Sequence, residues 1–145
     1  MRPSFSKVNK PLVSVIMNCY NGDRFLKEAI ESVYVQSYPN WEIIFWDNAS
    51  SDQTPEIAKS YDDKLRYFRS KETTNLGKAR VDATKEAIGE YISFLDSDDV
   101  WLKDKLAKQI DLFMNGGDDL GFVYGRSMVI FDDYKKNDFI YKEDT

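Results

Sequence analysis

The chain has 145 residues, 42% hydrophobic and 31% charged, with a net charge of −5. That is enough for one domain with a real core; it excludes a disordered chain, and the acidic balance without a Lys/Arg-rich run argues against a nucleic-acid-binding surface. There is no histidine and one cysteine, Cys19, so Ser-His-Asp and Cys-His catalysis, imidazole-held metals and an intrachain disulfide are excluded, and any metal must be held by oxygens.

Leu12 to Asn18 ("LVSVIMN") is an apolar, β-branched run of the kind that forms a strand buried on both faces. "YNGD" breaks it. Phe25, Leu26, Ala29, Ile30 and Val33 then recur at helical spacing, which predicts a helix from about Asp23 to Gln36, with Pro39 closing the region. Trp41 to Asp47 ("WEIIFWD") is the second strand. The polar turn after it leads to a short helix that Asp52 or Thr54 can cap, with Pro55 in its first turn. "KLRYFRS" reads as a third, weaker strand. "TTNLGKARVDATKEAI" reads as a loop and a helix with Leu76, Ala79, Ala83 and Ala87 on one face, stopped by Gly89. "EYISFLD" is the fourth strand. Leu102, Leu106, Ile110 and Phe113 form another helical stripe closed by Gly116 and Gly117, and "LGFVYG" and "SMVIFD" read as two further strands.

Strands alternating with helices imply an α/β fold: βαβ units, a mostly parallel central sheet and helices on both faces. The domain is expected over 11–132, after a lead-in at 1–10 and before a polar tail at 133–145. The start, "MRPSFSKVNKP", has no apolar stretch of a secretory signal, and no segment reaches the length of a membrane span. The single cysteine fits a reducing compartment.

Ligands of open parallel sheets bind at the carboxyl ends of the strands. Three ends here are polar: Asn18 to Asn21, Asp47 to Ala49, and Asp96 to Asp99. The last is the most informative. Clustered carboxylates raise one another's pKa unless a cation lies between them, so the turn is either a solvated helix cap or a grip for a divalent ion at Asp96 and Asp98. Asp47 is either an Asx-turn or an acceptor for a base or ribose. Tyr20 either stacks on a base or packs. Arg80 is a surface cation or, with Lys78 competing, a partner for phosphate oxygens.

Together, "PLVSVIMNCYNGDRFLKEAIESVYVQSYPNWEIIFWDNASSDQT", with its "S-x-D-x-T" turn, then "NLGKAR" and "AIGEYISFLDSDDVW", resemble the donor-binding half of glycosyltransferase family 2, inverting enzymes of the GT-A (Rossmann-like) fold. The likeness spans about residues 10 to 130, and Val81 stands where that family often has Asn. The resemblance implies transfer of a sugar from a nucleoside diphosphate donor, a UDP-sugar favoured, to a saccharide or lipid-linked acceptor in glycan or polysaccharide synthesis. It implies that Asn18 and Tyr20 line a nucleoside pocket and that Asp47 contacts the base. Arg80 would lie near base or diphosphate, Asp96 near the ribose, Ser97 against the nucleotide sugar, and Asp98 with Asp96 on Mn²⁺ or Mg²⁺. Asp99 stands next to Asp98 in the same turn. The general base would lie beyond this chain, in an acceptor half that it lacks. A cytoplasmic setting, peripheral at the inner membrane face, follows from the same resemblance.

Two alternatives remain open at this point. One is a nucleotide-sugar-binding module without catalysis. The other rests on "YISFLDSDDVW", which also resembles the first motif of haloacid-dehalogenase-type phosphatases, with Asp96 as nucleophile and Asp98 as acid/base. Fewer than about fifty residues follow that motif, too few for the remaining strands and crossovers of such a domain.

Overall fold

A computed structural model of the chain describes residues 10–117, 119–125 and 127. Four strands, β1 (Val13–Cys19), β2 (Trp41–Asp47), β3 (Leu65–Arg69) and β4 (Tyr91–Phe94), alternate with four helices: α1 (Asp23–Tyr34), α2 (Thr54–Lys59), α3 (Leu76–Lys85) and α4 (Lys105–Asn115). The strands form one parallel sheet in the order β3-β2-β1-β4. Helices cover both faces, as the alternating pattern requires.

Strand periodicity sorts the core into two layers. Val13, Val15, Met17 and Cys19 of β1 join Ile43 and Phe45 of β2 under Leu26, Ile30 and Val33 of α1, Ala58 of α2, and Leu106 and Ile110 of α4. The opposite face carries Ile16, Ile44, Trp46 and Phe68, closed by Ala83 of α3 and by Ala87 beyond its end. β1 lies between two neighbours and under both layers, which is why its sequence is a continuous apolar run. Its exception, Ser14, is buried but donates to Glu42 Oε1 at 2.6 Å, while the Gly89 N–H donates to Ser14 Oγ at 2.8 Å.

Gly89 does more than end a helix. A Cβ there would meet Ser14 N at 2.6 Å and Leu12 O at 2.8 Å, so the backbone entering β4 can approach β1 only without a side chain. α3 itself closes at Lys85, four residues before this glycine.

Two expectations need correction. "LGFVYG" is not a strand: residues 120–125 have no regular structure, and Phe122 and Tyr124 are 75% and 83% exposed. A strand is held by its ladder partner, and among the described residues none pairs with this segment. Leu102 is not part of the α4 stripe, because the helix begins three residues later and Leu102 is 78% exposed. Leu76 opens the α3 stripe but is likewise exposed, leaving Ala79 and Ala83 as its buried positions. The expected strand "SMVIFD", the polar tail and most of the lead-in lie outside the described residues. Among the described residues no helix is long and apolar enough to cross a membrane.

Candidate functional site

The register places the carboxyl ends of β1, β2 and β3 in one row, Cys19 beside Asp47 beside Arg69. Side chains alternate across that row. Asn18, Trp46 and Asn48 belong to the α3 face, whereas Cys19 and Asp47 belong to the face that holds α1 and α2. A cleft of about 230 Å³ opens on the α3 side, lined by Asn18, Tyr20, Asn48, Thr74, Leu76 and Ala79 among others. It has room for a heterocycle rather than a whole nucleotide. The Asn18 Nδ2 is buried and makes no hydrogen bond among the described residues, so a donor is left over at the cleft wall. Tyr20 at the rim is 55% exposed, an aromatic face open for stacking.

Asp47 lies elsewhere. Its side chain has no exposed surface. Oδ2 accepts from Tyr67 OH at 2.5 Å and from Arg69 Nη1, and Oδ1 accepts from Ser50 N at 2.8 Å. The carboxylate is thus fully engaged inside the protein, where it fixes the end of β2 against β3. Its neighbour Asn48 lines the cleft instead. The Asn48 Nδ2 donates to Thr74 O at 2.7 Å, and its Oδ1 accepts from Thr74 N at 3.0 Å. These bonds bring the loop before α3 down onto the end of β2. Sequence reading placed Asn48 at a polar strand end but gave it no role, although its even spacing from Trp46 was a usable signal.

The "S-x-D-x-T" turn is a lock between two loops. Ser50 Oγ accepts from Asn21 N at 3.0 Å, Thr54 Oγ1 from Gly22 N at 3.1 Å, and Asp52 Oδ2 from Asp23 N at 3.0 Å. Ser51 N in turn donates to Asn21 Oδ1 at 2.7 Å. The N–H groups of Gly22 and Asp23, at the start of α1, are therefore satisfied by side chains of the β2–α2 loop and of the first residue of α2. Asn21 and Ala49, with φ of 49° and 63°, hold the left-handed turns that bring the loops together; at Ala49 this costs about 1 kcal/mol. Gly22 is needed for a different reason, since a Cβ there would meet Cys19 Sγ at 2.6 Å and Ser97 Oγ at 3.2 Å. Ser97 thus packs against the end of β1 rather than projecting from the acid turn.

Asp52 supports a prediction. Burial pushes its carboxyl up, but hydrogen bonds from Thr54 and from the Asp23 and Thr54 N–H groups outweigh that and hold it below the usual range. Asp52→Ala is expected to cost about 1–2 kcal/mol in urea unfolding at neutral pH. A depressed folded-state pKa gives stability that is present above the unfolded value and lost as pH falls through the folded one. The gap between wild type and variant is therefore expected to narrow below about pH 4.

The acid turn follows β4. Asp96 Oδ1 accepts from Arg80 Nη2 at 2.8 Å, which joins α3 to the end of the strand. Asp98 is exposed and has no hydrogen-bond or ion-pair partner among the described residues. Burial, then the charges of Asp98 and Asp96, push the Asp99 carboxyl up, so the turn carries uncompensated negative charge. Lys78 is committed elsewhere, to Asp82. Among the described residues no three carboxylate or thiol groups converge as a ready-made metal cage. One or two carboxylates of a hard-oxygen turn nevertheless suit a cation that keeps other oxygens, from water or phosphate, in its shell.

The sequence model of Glycosyl transferase family 2 matches residues 14–144. TuaG of Bacillus subtilis, named as a teichuronic acid biosynthesis glycosyltransferase, is 42% identical over 108 residues, 72% of this chain and 43% of its own. The Escherichia coli UDP-Glc:alpha-D-GlcNAc-diphosphoundecaprenol beta-1,3-glucosyltransferase WfgD is 36% identical over 120 residues, 82% of this chain and 47% of its own. The chain thus spans under half the length of either relative. Among solved structures, S. aureus TarS 1-349 in complex with UDP-GlcNAc superposes with a TM-score of 0.68 at 32% identity, covering 70% of this chain and 31% of that one. The mannosyltransferase PcManGT from Pyrobaculum calidifontis, in complex with GDP-Man and Mn²⁺, gives 0.63 at 30% identity over 69% of this chain and 31% of its own.

Proposed function

The chain belongs to glycosyl transferase family 2, and on that premise we propose that it seats a nucleoside diphosphate sugar at the carboxyl edge of its sheet. The observation that carries this reading is the cleft at the end of β1, with its unspent Asn18 donor and exposed Tyr20 ring. In this proposal Tyr20 stacks on the base and Asn18 donates to it. Asp47 and Ser97 act from behind, as positioning groups for the strand ends. Arg80 meets the phosphates, and Asp96 faces the ribose.

The acid turn fits Mn²⁺ or Mg²⁺, with Asp98 and Asp96 as its protein ligands. When bound, such an ion supplies Lewis-acid neutralisation of the charge that grows on the departing diphosphate. The protein's own part is to hold donor and turn in one geometry, so that an acceptor hydroxyl attacks from the opposite face and the sugar inverts. The general base is proposed to lie outside the described residues.

The names of the relatives support a UDP-sugar donor, a saccharide or lipid-linked acceptor and a role in polysaccharide synthesis; a place at the cytoplasmic membrane face is part of the proposal. The phosphatase alternative has no support beyond the acid turn itself. Calorimetric titration with UDP and GDP, each with Mn²⁺ and with EDTA, tests the proposal. Binding of UDP that strengthens at least about tenfold with Mn²⁺ is expected, the scale of a coupling near 1.4 kcal/mol. Absence of UDP binding under both conditions would overturn it.

A further inference from the structure

The Arg80–Asp96 bond joins two residues that the proposed function would each use on a different part of the ligand. Arg80 is 39% exposed and Asp96 56% exposed, so this is a surface ion pair, which is weakly held and readily exchanged. The guanidinium lies 5.9 Å from the centre of the Phe94 ring, beside the strand that leads into the turn. Asp98, two residues on, has no such counter-charge among the described residues.

Resting on the reading above, we propose that Arg80 is the acid turn's counter-ion while the site is empty, and that it changes partner from Asp96 to the donor's phosphates as donor and cation enter. The argument is one of charge. A guanidinium on Asp96 neutralises a carboxylate that a cation would otherwise use, and repels that cation. A diphosphate offers more charge and a matching array of oxygens for the guanidinium fork. Transfer of Arg80 to the phosphates leaves Asp96 free. Donor and cation then favour one another through this residue, apart from any direct contact between them.

The exchange predicts effects of opposite sign from one substitution. Arg80→Gln should bind bare Mn²⁺ about two- to fivefold more tightly, the range an exposed ion pair commands. The same variant should bind UDP in the presence of Mn²⁺ at least about tenfold more weakly, having lost a charge-assisted contact. Free Mn²⁺ is followed by electron paramagnetic resonance and UDP by calorimetry, on the full chain, with thermal unfolding confirming that each variant is folded. Lys85→Gln removes a neighbouring charge of the same helix and should change neither affinity by more than about twofold. In an Asp96→Asn background, Arg80→Gln should no longer tighten Mn²⁺ binding. Unchanged or weaker Mn²⁺ binding by Arg80→Gln, or an equal gain with Asp96→Asn present, overturns the exchange while the donor-binding reading stands. Wild-type protein that takes up no UDP overturns that reading, and the exchange with it.

Discussion

Asp98→Ala is expected to erase the Mn²⁺ dependence of UDP binding, so that titrations with Mn²⁺ and with EDTA coincide. The reasoning begins with the turn. While the site is empty Asp96 is paired with Arg80, and the Asp99 carboxyl is pushed up by burial and by its two acidic neighbours. Asp98, like Asp99, is exposed and has no side-chain hydrogen-bond or ion-pair partner among the described residues. Removal of Asp98 should weaken metal-assisted binding by at least about ten- to hundredfold, the loss that follows removal of even an outer-shell partner at metal sites. Because the side chain is exposed, thermal stability should shift little, or rise as like-charge repulsion falls. Calorimetry and thermal unfolding on the same sample separate the two effects. A variant that kept the full Mn²⁺ response would remove Asp98 from the site.

Asp47→Ala is expected to act in the reverse manner, with a large loss of stability. The substitution strips the acceptor from Tyr67 OH, Arg69 Nη1 and Ser50 N at once. Breaking a fully buried ion pair costs about 3–5 kcal/mol because one charge is stranded. Arg69 is 42% exposed and recovers water, which lowers the figure to about 2–3 kcal/mol. Urea unfolding measures it. Asp47→Asn distinguishes the two roles that the sequence allowed. A carboxylate that reads the base would change the preference between UDP and GDP at constant stability. The buried arrangement predicts lower stability with the same preference.

That contrast shows where sequence was informative. The four paired strands were legible because a strand covered on both faces must be apolar throughout, and β1 and β2 are. The crowding of Asp96, Asp98 and Asp99 was legible in the sequence, whereas the bond that Arg80 makes to Asp96 was not, because the two lie sixteen positions apart. Asp47 was harder. One step of strand parity decides whether its side chain meets the cleft or the α1 face, and the motif spelling "WDNASSD" gives the acid and its amide neighbour equal prominence. The "S-x-D-x-T" spelling identified a family feature, but not that its hydroxyls and carboxylate reach across to another loop. Such bonds join residues about thirty positions apart, beyond local pattern. Residues 120–125 failed for the opposite reason. Their composition suits a strand, but a strand also needs a neighbour, and composition does not supply one.

The loop lock bears on how this site can be altered. The turn after β1 and the turn after β2 share their hydrogen bonds, so each is part of the other's scaffold. Grafting one of them alone from a relative with a different nucleotide preference leaves amide hydrogens and hydroxyls facing empty space on both sides of the seam. Specificity at this end of the sheet should therefore be portable only as a matched pair, and library designs that randomise both turns together should yield folded proteins more often than those that vary either alone.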